Sequence, residues 1–169
     1  MTSAELVALA AINVGKYAQS FPSFGPERRG APVLAFLRVS EDERIRVRSE
    51  ITEPDAVVVL NPDLLRIVNV TSGLKENGTL IVNTKKPLEE IKATYGNGHR
   101  VATVGATNIA REVIGLPITN TTMIGALLKV TGLVDIDALE DPLQHRFGKI
   151  ADKNIAAMRR AYKETSVKG

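Results

Sequence analysis

Three short apolar runs, each followed by a helix-like segment, constrain the fold of this chain more than any other feature. A continuous run of Val, Leu and Ile is typical of a strand that is buried on both faces of a parallel sheet. A helix in each connection returns the chain to the same end of that sheet. The sequence therefore predicts a doubly wound α/β fold with a mostly parallel sheet, with strands over 56–60, 79–83 and 100–104 and helices over 61–70, 87–94 and 107–114.

The residues before the first of these runs predict a helix and a β-hairpin. Residues 2–14 favour a helix, because Thr2 and Glu5 form a capping-box pattern and Gly15 stands where a helix would end. The apolar run 33–39 predicts a strand, and Ile45–Arg48 alternates apolar and basic residues as a half-exposed strand does. The polar residues 40–44 between them predict that these two strands pair with each other.

The last third of the chain reads as wholly helical. Helices are predicted over 123–130, 139–147 and 149–164, with Asn120-Thr121-Thr122 as the cap of the first helix and Gly132 as its end. Asp135 or Asp137 is placed to begin the second. The sequence shows no internal repeat, low-complexity segment or linker, so a single domain over residues 1–169 is expected.

One connection has an unusual composition, and we call it the proline-rich loop (Phe21–Pro32). It holds two Phe, three Pro and the adjacent pair Arg28-Arg29. Proline stiffens the backbone, and exposed aromatic surface has a cost in water, so this loop differs from an ordinary solvated connection. It suits either docking against another molecule or packing on its own domain as an Ω-like loop.

Several kinds of chemistry are disfavoured by the residues. The sequence has no Cys, which excludes disulfides, thiolate catalysis and an iron–sulfur cluster held by Cys of this chain, and which fits a reducing cytoplasm. Neither glycine-rich phosphate motif occurs, and His99 and His145 lack metal-ligand spacing. A net charge of +3 with scattered basic pairs predicts no nucleic-acid binding, and no apolar run predicts a membrane span or a signal peptide. We therefore expect no catalytic residue and no metal site in this chain.

The candidate site residues are instead groups that bind anions. Arg28 and Arg29 suit bidentate contact with a carboxylate or a phosphate, and Asn120 and Thr121 stand at a helix start, whose N–H groups also attract anions. Each set could serve a ligand or a neighbouring subunit. The polar residues that follow the predicted strands, at 61–63, 83–86 and 105–108, could line a phosphate site or could simply cap helices.

The proline-rich loop also carries a resemblance to a known family. The stretch FPSFGPERRGAPV at 21–33 resembles the gamma subunits of pyruvate:ferredoxin oxidoreductase, within the 2-oxoacid:ferredoxin oxidoreductase family. The similarity continues in order through GKYAQ at 15–19, NTTMIGA at 120–126, VTGL at 130–133 and FGK at 147–149. The resemblance therefore covers essentially the whole chain.

The resemblance implies a Rossmann-like subunit of a larger cytoplasmic enzyme that converts pyruvate and coenzyme A to acetyl-CoA and CO2 and reduces ferredoxin. It implies alpha and beta catalytic subunits and a ferredoxin-like delta subunit as partners. Thiamine diphosphate, Mg²⁺ and iron–sulfur clusters would belong to the complex and not to this chain. On this basis Arg28, Arg29, Asn120 and Thr121 are candidates for contact with coenzyme A or with another subunit.

One departure from the family pattern and two alternatives remain. The family usually begins with a strand and a Gly-rich turn before the first helix, and this sequence lacks both. A vacant strand position at or near the centre of the sheet is therefore expected. The substrate could be 2-oxoisovalerate instead of pyruvate, and a free-standing nucleotide-binding or assembly module is the alternative outside the family.

Overall fold

The computed structural model describes residues 2–23, 29 and 31–169, and it places strands and helices in alternation over residues 56–113. The helices are α1 (Thr2–Asn13), α2 (Leu64–Ile67), α3 (Leu88–Tyr95), α4 (Ala106–Val113), α5 (Thr119–Thr131), α6 (Glu140–Phe147) and α7 (Ala151–Glu164). The strands are β1 (Tyr17–Pro22), β2 (Ala35–Ser40), β3 (Ala56–Val59), β4 (Thr79–Asn83), β5 (Arg100–Val104) and β6 (Ser166–Lys168). Short 3₁₀ turns at Ile136–Leu139 and Gly148–Ile150 precede α6 and α7.

The apolar runs form the predicted parallel strands. β3, β4 and β5 pair in parallel, and every residue of β4 is buried. This explains why β4 reads as one continuous apolar run, since both of its faces are covered. The predicted α/β class, with a parallel-rich sheet, an antiparallel two-stranded sheet and a helical C-terminal part, is confirmed.

The prediction that the last third is wholly helical is wrong at its end. β6 pairs antiparallel with β5 and completes a sheet in the order β3-β4-β5-β6. Thr165 ends α7 in an extended conformation and donates its hydroxyl to the Ala161 carbonyl at 2.6 Å. A short Ser-Val-Lys strand at a sheet edge carries no apolar signal, because its side chains remain exposed.

The pairing predicted for the hairpin is also wrong. β2 pairs with β1, not with Ile45–Arg48, and the register runs from Tyr17↔Ser40 to Pro22↔Ala35. Residues 45–48 belong to no helix or strand. The physical reason lies on one face of the hairpin, where Ala18, Leu37 and Val39 pack against a core that α1 also lines.

Two predicted helix starts need correction. Asn120, Thr121 and Thr122 lie inside the first turns of α5, whose N-cap position is Ile118, so they do not cap that helix. The helix after β3 is only Leu64–Ile67, and Asn61 Oδ1 accepts a hydrogen bond from the Asp63 N–H at 3.0 Å before it begins. The predicted end of α5 is confirmed, since Gly132 adopts a left-handed conformation with φ 60°.

The sheet has no vacancy between its strands. β3, β4, β5 and β6 follow one another with hydrogen-bonded neighbours throughout, so the expected central gap is not present among the described residues. A further parallel strand could pair only at an outer edge, and the outer edge of β3 is the one that continues the parallel part of this sheet.

Helix α5 links the two larger groups of buried side chains. Met123 and Ala126 pack among residues of the sheet, α4 and α7, whereas Ile124 and Leu128 pack among residues of α1, α6 and α7. Gly125 lies between these positions and allows α5 and α7 to touch through their backbones. The hairpin is therefore attached to the parallel sheet through α1 and α5.

Candidate docking site at the hairpin

The proline-rich loop is the connection between β1 and β2. The last strand pair is Pro22↔Ala35, and beyond it the Ser23 N–H donates to the Leu34 carbonyl at 3.0 Å. Phe21 and Pro22, which the sequence placed in the loop, belong to β1. The chain thus enters and leaves the loop at two adjacent, hydrogen-bonded positions, which fixes where the loop projects from the molecule.

Aromatic and cationic contacts brace the base of this loop. The Phe21 and Phe36 rings lie with centroids 5.2 Å apart, and the Arg38 guanidinium lies 5.5 Å from the Phe21 centroid. Arg38 also donates to Gln19 Oε1 at 3.1 Å and to the Ser49 carbonyl at 2.7 Å. Sequence analysis did not single out Arg38, because its role depends on a strand pairing that the sequence pattern does not show.

A second contact ties the start of the loop to the segment after the hairpin. Ser23 Oγ donates to Glu50 Oε1 at 2.7 Å. Together with the bonds of Arg38, this contact holds residues 47–50 against the hairpin. The loop therefore rises from a base that is fixed on both strands.

The described residues near the tip of the loop are exposed. Arg29 is exposed and makes no ion pair with the described residues, whereas Arg28 lies outside them. On the return side, Val33 is 88% exposed and Leu34 is 53% exposed. Exposed apolar side chains and an exposed Arg in one connection are the composition expected of a surface that docks another molecule.

The structure does not join Asn120 and Thr121 to Arg29. Asn120 is half-buried, and its carbonyl accepts a hydrogen bond from Ser3 Oγ at 2.9 Å. Thr121 is fully buried, and its hydroxyl donates to Asn154 Oδ1 at 2.6 Å. Asn154 in turn donates to the Ile150 carbonyl, so this pair connects α5 with the start of α7. Whether these residues also serve a ligand or another subunit stays a prediction.

The carboxyl end of the parallel sheet is closed by hydrogen bonds within the chain. Asn83 is 4% exposed, and its Nδ2 donates to the Leu60 carbonyl at 2.9 Å and to Thr107 Oγ1 at 2.8 Å. The Thr107 N–H donates back to Asn83 Oδ1 at 3.3 Å. Asn83 and Thr107 thus bond to each other and to the chain, and whether the polar residues at 61–63, 83–86 and 105–108 also line a phosphate site stays a prediction.

The described residues also limit other kinds of site. Across 2–23, 29 and 31–169, no cluster of at least three His, Cys, Asp or Glu side chains is arranged to hold a metal ion. No helix in the same ranges has both the length and the apolar character needed to cross a membrane. The hairpin and its loop remain the most distinctive surface of the chain.

These observations define a class of protein: a Rossmann-like α/β chain with a braced hairpin, in whose described residues no cluster of metal-binding side chains occurs. Comparison with known proteins identifies the class more closely. The model of the pyruvate ferredoxin/flavodoxin oxidoreductase family matches residues 1–164, and the chain belongs to this family.

Curated relatives and a crystal structure agree with this assignment. The chain is 49% identical over 169 residues to the pyruvate/ketoisovalerate oxidoreductases common subunit gamma of Pyrococcus furiosus, covering 99% of this chain and 91% of that relative. It is 48% identical over 170 residues to pyruvate synthase subunit PorC of Methanothermobacter marburgensis, covering 100% and 92%. The crystal structure of pyruvate oxidoreductase subunit PORC from Thermotoga maritima superposes with a TM-score of 0.87 at 36% identity, covering 99% of this chain and 90% of that one.

Proposed function

We propose that this chain is the gamma subunit of a multisubunit pyruvate:ferredoxin oxidoreductase in the cytoplasm. The complex would convert pyruvate, coenzyme A and oxidised ferredoxin to acetyl-CoA, CO2 and reduced ferredoxin. The observation that carries the proposal is the collinear similarity to gamma and PorC subunits, which extends over 99% to 100% of this chain. The fold agrees, because a PORC crystal structure superposes over nearly the whole chain.

The redox chemistry of such a complex would take place on other subunits. An iron–sulfur cluster requires Cys thiolates, which this sequence does not contain. The described residues also offer no carboxylate cluster for the Mg²⁺ that accompanies thiamine diphosphate. These observations support the assignment of the iron–sulfur clusters, thiamine diphosphate and Mg²⁺ to the alpha, beta and ferredoxin-like delta partners, which is part of the proposal.

The role that we propose for this chain is docking on the coenzyme A side of the complex. Arg28 and Arg29 supply two permanent cations on a stiff loop, and such cations suit a phosphate of coenzyme A or a carboxylate of a neighbouring subunit. Asn120 and Thr121 are the secondary candidates. The bracing of the hairpin by Arg38 and Glu50 supports this role, because a fixed base lowers the entropic cost of binding at the tip.

A second substrate is supported by a specific observation. The relative from Pyrococcus furiosus is named as a subunit common to pyruvate and ketoisovalerate oxidoreductases. The gamma subunit of such a system does not by itself determine the substrate. We therefore keep 2-oxoisovalerate as the alternative substrate of the complex that contains this chain.

Co-purification and assay test the proposal directly. The chain is co-expressed with the candidate alpha, beta and delta subunits encoded beside it, and the purified complex is assayed with pyruvate, 2-oxoisovalerate and 2-oxoglutarate in the presence of coenzyme A and ferredoxin. We expect a stable hetero-oligomer that oxidises pyruvate. Recovery of the chain only as an isolated monomer would favour a free-standing module and contradict the proposal.

The arginine pair provides a sharper test. In the double variant R28A/R29A, we expect weaker assembly or an increased KM for coenzyme A, because the cations that contact the anion are lost, while the thermal midpoint of the isolated subunit changes little. The matched control is R66A/R111A, since both arginines are exposed on helices and make no ion pair with described residues. Wild-type complex mass together with wild-type kinetics in R28A/R29A would refute the role of the loop.

A further inference from the structure

The segment 44–48, which follows the hairpin, has the sequence of a strand but pairs with no strand among the described residues. Ile45, Arg46, Val47 and Arg48 alternate apolar and basic side chains, the pattern of a strand with one exposed face. Its backbone N–H groups make no hydrogen bond with any described residue. Unpaired N–H and C=O groups in such a segment form a template on which another strand can add.

The segment is nevertheless held in place at its far end. Arg38 donates to the Ser49 carbonyl at 2.7 Å, and Ser23 Oγ donates to Glu50 Oε1 at 2.7 Å. Arg38 also donates to the Val47 carbonyl at 3.5 Å, so these bonds hold residues 47–50 against the hairpin, while the backbone N–H groups of residues 44–48 make no hydrogen bond with described residues. Because the end of this segment is already held in place, a strand of another chain could bind to the segment at a lower entropic cost of ordering it.

A groove runs between this segment and the hairpin. It has a volume of about 800 Å³, with Ile12, Tyr17 and Phe21 on one side and Arg44, Ile45 and Arg48 on the other. Ile12 is 51% exposed and Tyr17 is 41% exposed, so part of the groove wall is apolar surface in contact with solvent. A groove of this kind can accept apolar side chains between charged ones.

The charge of the groove is unbalanced within the described chain. Arg44 and Arg48 are exposed and make no ion pair with described residues. Two nearby carboxylates are already engaged, since Glu41 accepts from Lys16 Nζ at 3.1 Å and Glu50 accepts from Ser23. Glu43, which precedes Arg44, is also exposed and forms no ion pair with described residues, so one unengaged carboxylate stands near two guanidinium groups that have no ion-pair partner in the described part of the chain. Guanidinium groups bind carboxylates with bidentate geometry.

We propose that this groove docks an extended, acidic segment of a partner subunit, which adds as a strand to residues 44–48. Its backbone would bond to the N–H groups of residues 44–48 and to their carbonyls other than that of Val47, which accepts from Arg38. Its carboxylates would contact Arg44 and Arg48, and its alternate apolar residues would cover Ile12 and Tyr17. This inference rests on the proposed function as a subunit. It assigns to that subunit a second contact surface, separate from the tip of the proline-rich loop.

Hydrogen exchange of the assembled complex tests the backbone part of this inference without any mutation. In wild-type complex, we expect amide exchange over residues 44–48 to slow by about tenfold or more relative to the isolated subunit, because the N–H groups become bonded. Equal exchange rates in the assembled and isolated states would overturn the inference, although the complex itself would still support the proposed function. Failure of the wild-type chain to assemble would instead contradict the proposed function.

Charge reversal tests the nature of the partner. In R44E/R48E, we expect assembly about tenfold weaker or more and a smaller dependence of affinity on salt, because carboxylate contacts become repulsive. The control R66E/R111E has the same change in net charge on exposed arginines of α2 and α4 and should assemble like wild type. Equal weakening of both variants would show an effect of net charge alone, and no weakening of R44E/R48E would show that the partner is not acidic. Either result would overturn the inference. Circular dichroism of each isolated variant verifies that the variant is folded.

Discussion

Thr121 is the residue at which a structural role and a binding role can be separated most cleanly. Its hydroxyl donates to Asn154 Oδ1 at 2.6 Å, and both side chains are essentially inaccessible to solvent. In T121V, we expect the free energy of unfolding to fall by about 1–3 kcal/mol, because Asn154 Oδ1 loses its partner inside the core. Urea denaturation of the isolated subunit measures this loss.

The control for T121V is T94V, at an exposed position of α3, where we expect a change within about 0.5 kcal/mol. If T121V keeps wild-type stability but lowers the affinity for the partner subunits, the hydroxyl acts in binding and the core role is wrong. If both properties fall, the buried bond positions the start of α5 for a contact outside the chain.

The local sequence around Thr121 did not predict that this residue is buried inside a helix. Asn, Thr and Thr before an apolar run read as a helix cap, yet the same residues also fit the first turn of a helix that is buried on both sides. The difference depends on α7, whose Asn154 supplies the acceptor, and nothing in the local sequence shows that residue 154 faces residue 121. Burial of this kind follows from packing between distant parts of the chain.

At the scale of elements, the closest packing is between α5 and α7. A Cβ atom on Gly125 would lie 2.0 Å from the Met158 carbonyl oxygen and 2.8 Å from the Tyr162 backbone nitrogen. We therefore expect overpacking in G125A to lower the free energy of unfolding by about 3 kcal/mol, at the upper end for this effect. This loss exceeds the gain of about 1 kcal/mol from the better helix propensity of Ala. Thermal unfolding of the variant measures the net change.

Gly105 provides the matched control for this substitution. An added Cβ there would lie no closer than 4.0 Å to the Thr84 carbonyl oxygen, and the residue has φ −80°, which Ala adopts readily. G105A should therefore show no steric penalty and lose only about 1 kcal/mol, because Gly105 is the N-cap residue of α4 and Ala is unfavourable there. A wild-type midpoint for G125A would mean that α5 and α7 can move apart without loss, which would contradict the tight helix contact.

The elements differ in how far the sequence predicted them. β4 and β5 were predicted at their observed bounds, because a parallel strand with both faces covered reads as an apolar run. β1 was missed, since Gln19, Ser20 and Pro22 interrupt any apolar pattern and its partner lies beyond the proline-rich loop. The choice of β1 over residues 45–48 as the partner of β2 is decided by packing against α1, which a local pattern does not contain.

For the whole molecule, the shared position of α5 predicts cooperative unfolding. Its residues contribute to both large groups of buried side chains, with Met123 in one and Ile124 in the other, so neither group can be lost without exposing part of the other. We expect one unfolding transition, with calorimetric and van't Hoff enthalpies in agreement, as for a single domain over residues 1–169. Two resolved transitions, with the hairpin and α1 melting apart from the parallel sheet, would contradict this.

The candidate site was predicted in part. The composition of residues 21–32 pointed to a docking loop, and the structure places this segment at the end of a hairpin. The bracing by Arg38 and Glu50 was not predicted, because both residues reach the loop only through the fold. The docking role of the loop therefore stays a prediction from the sequence, and three-dimensional structure is needed to show how the base of the loop is supported.

The closed base of the hairpin also has a practical consequence. Because the Pro22↔Ala35 pair and the Ser23–Leu34 hydrogen bond fix both ends of the loop, residues 24–33 form an exchangeable cassette. The corresponding stretch of another gamma subunit can be spliced between the same two joints while the strands, α1 and the parallel sheet keep their own sequence. Chimeras of this kind would test whether this stretch carries the docking preference of a complex, separately from the folding of the rest of the chain.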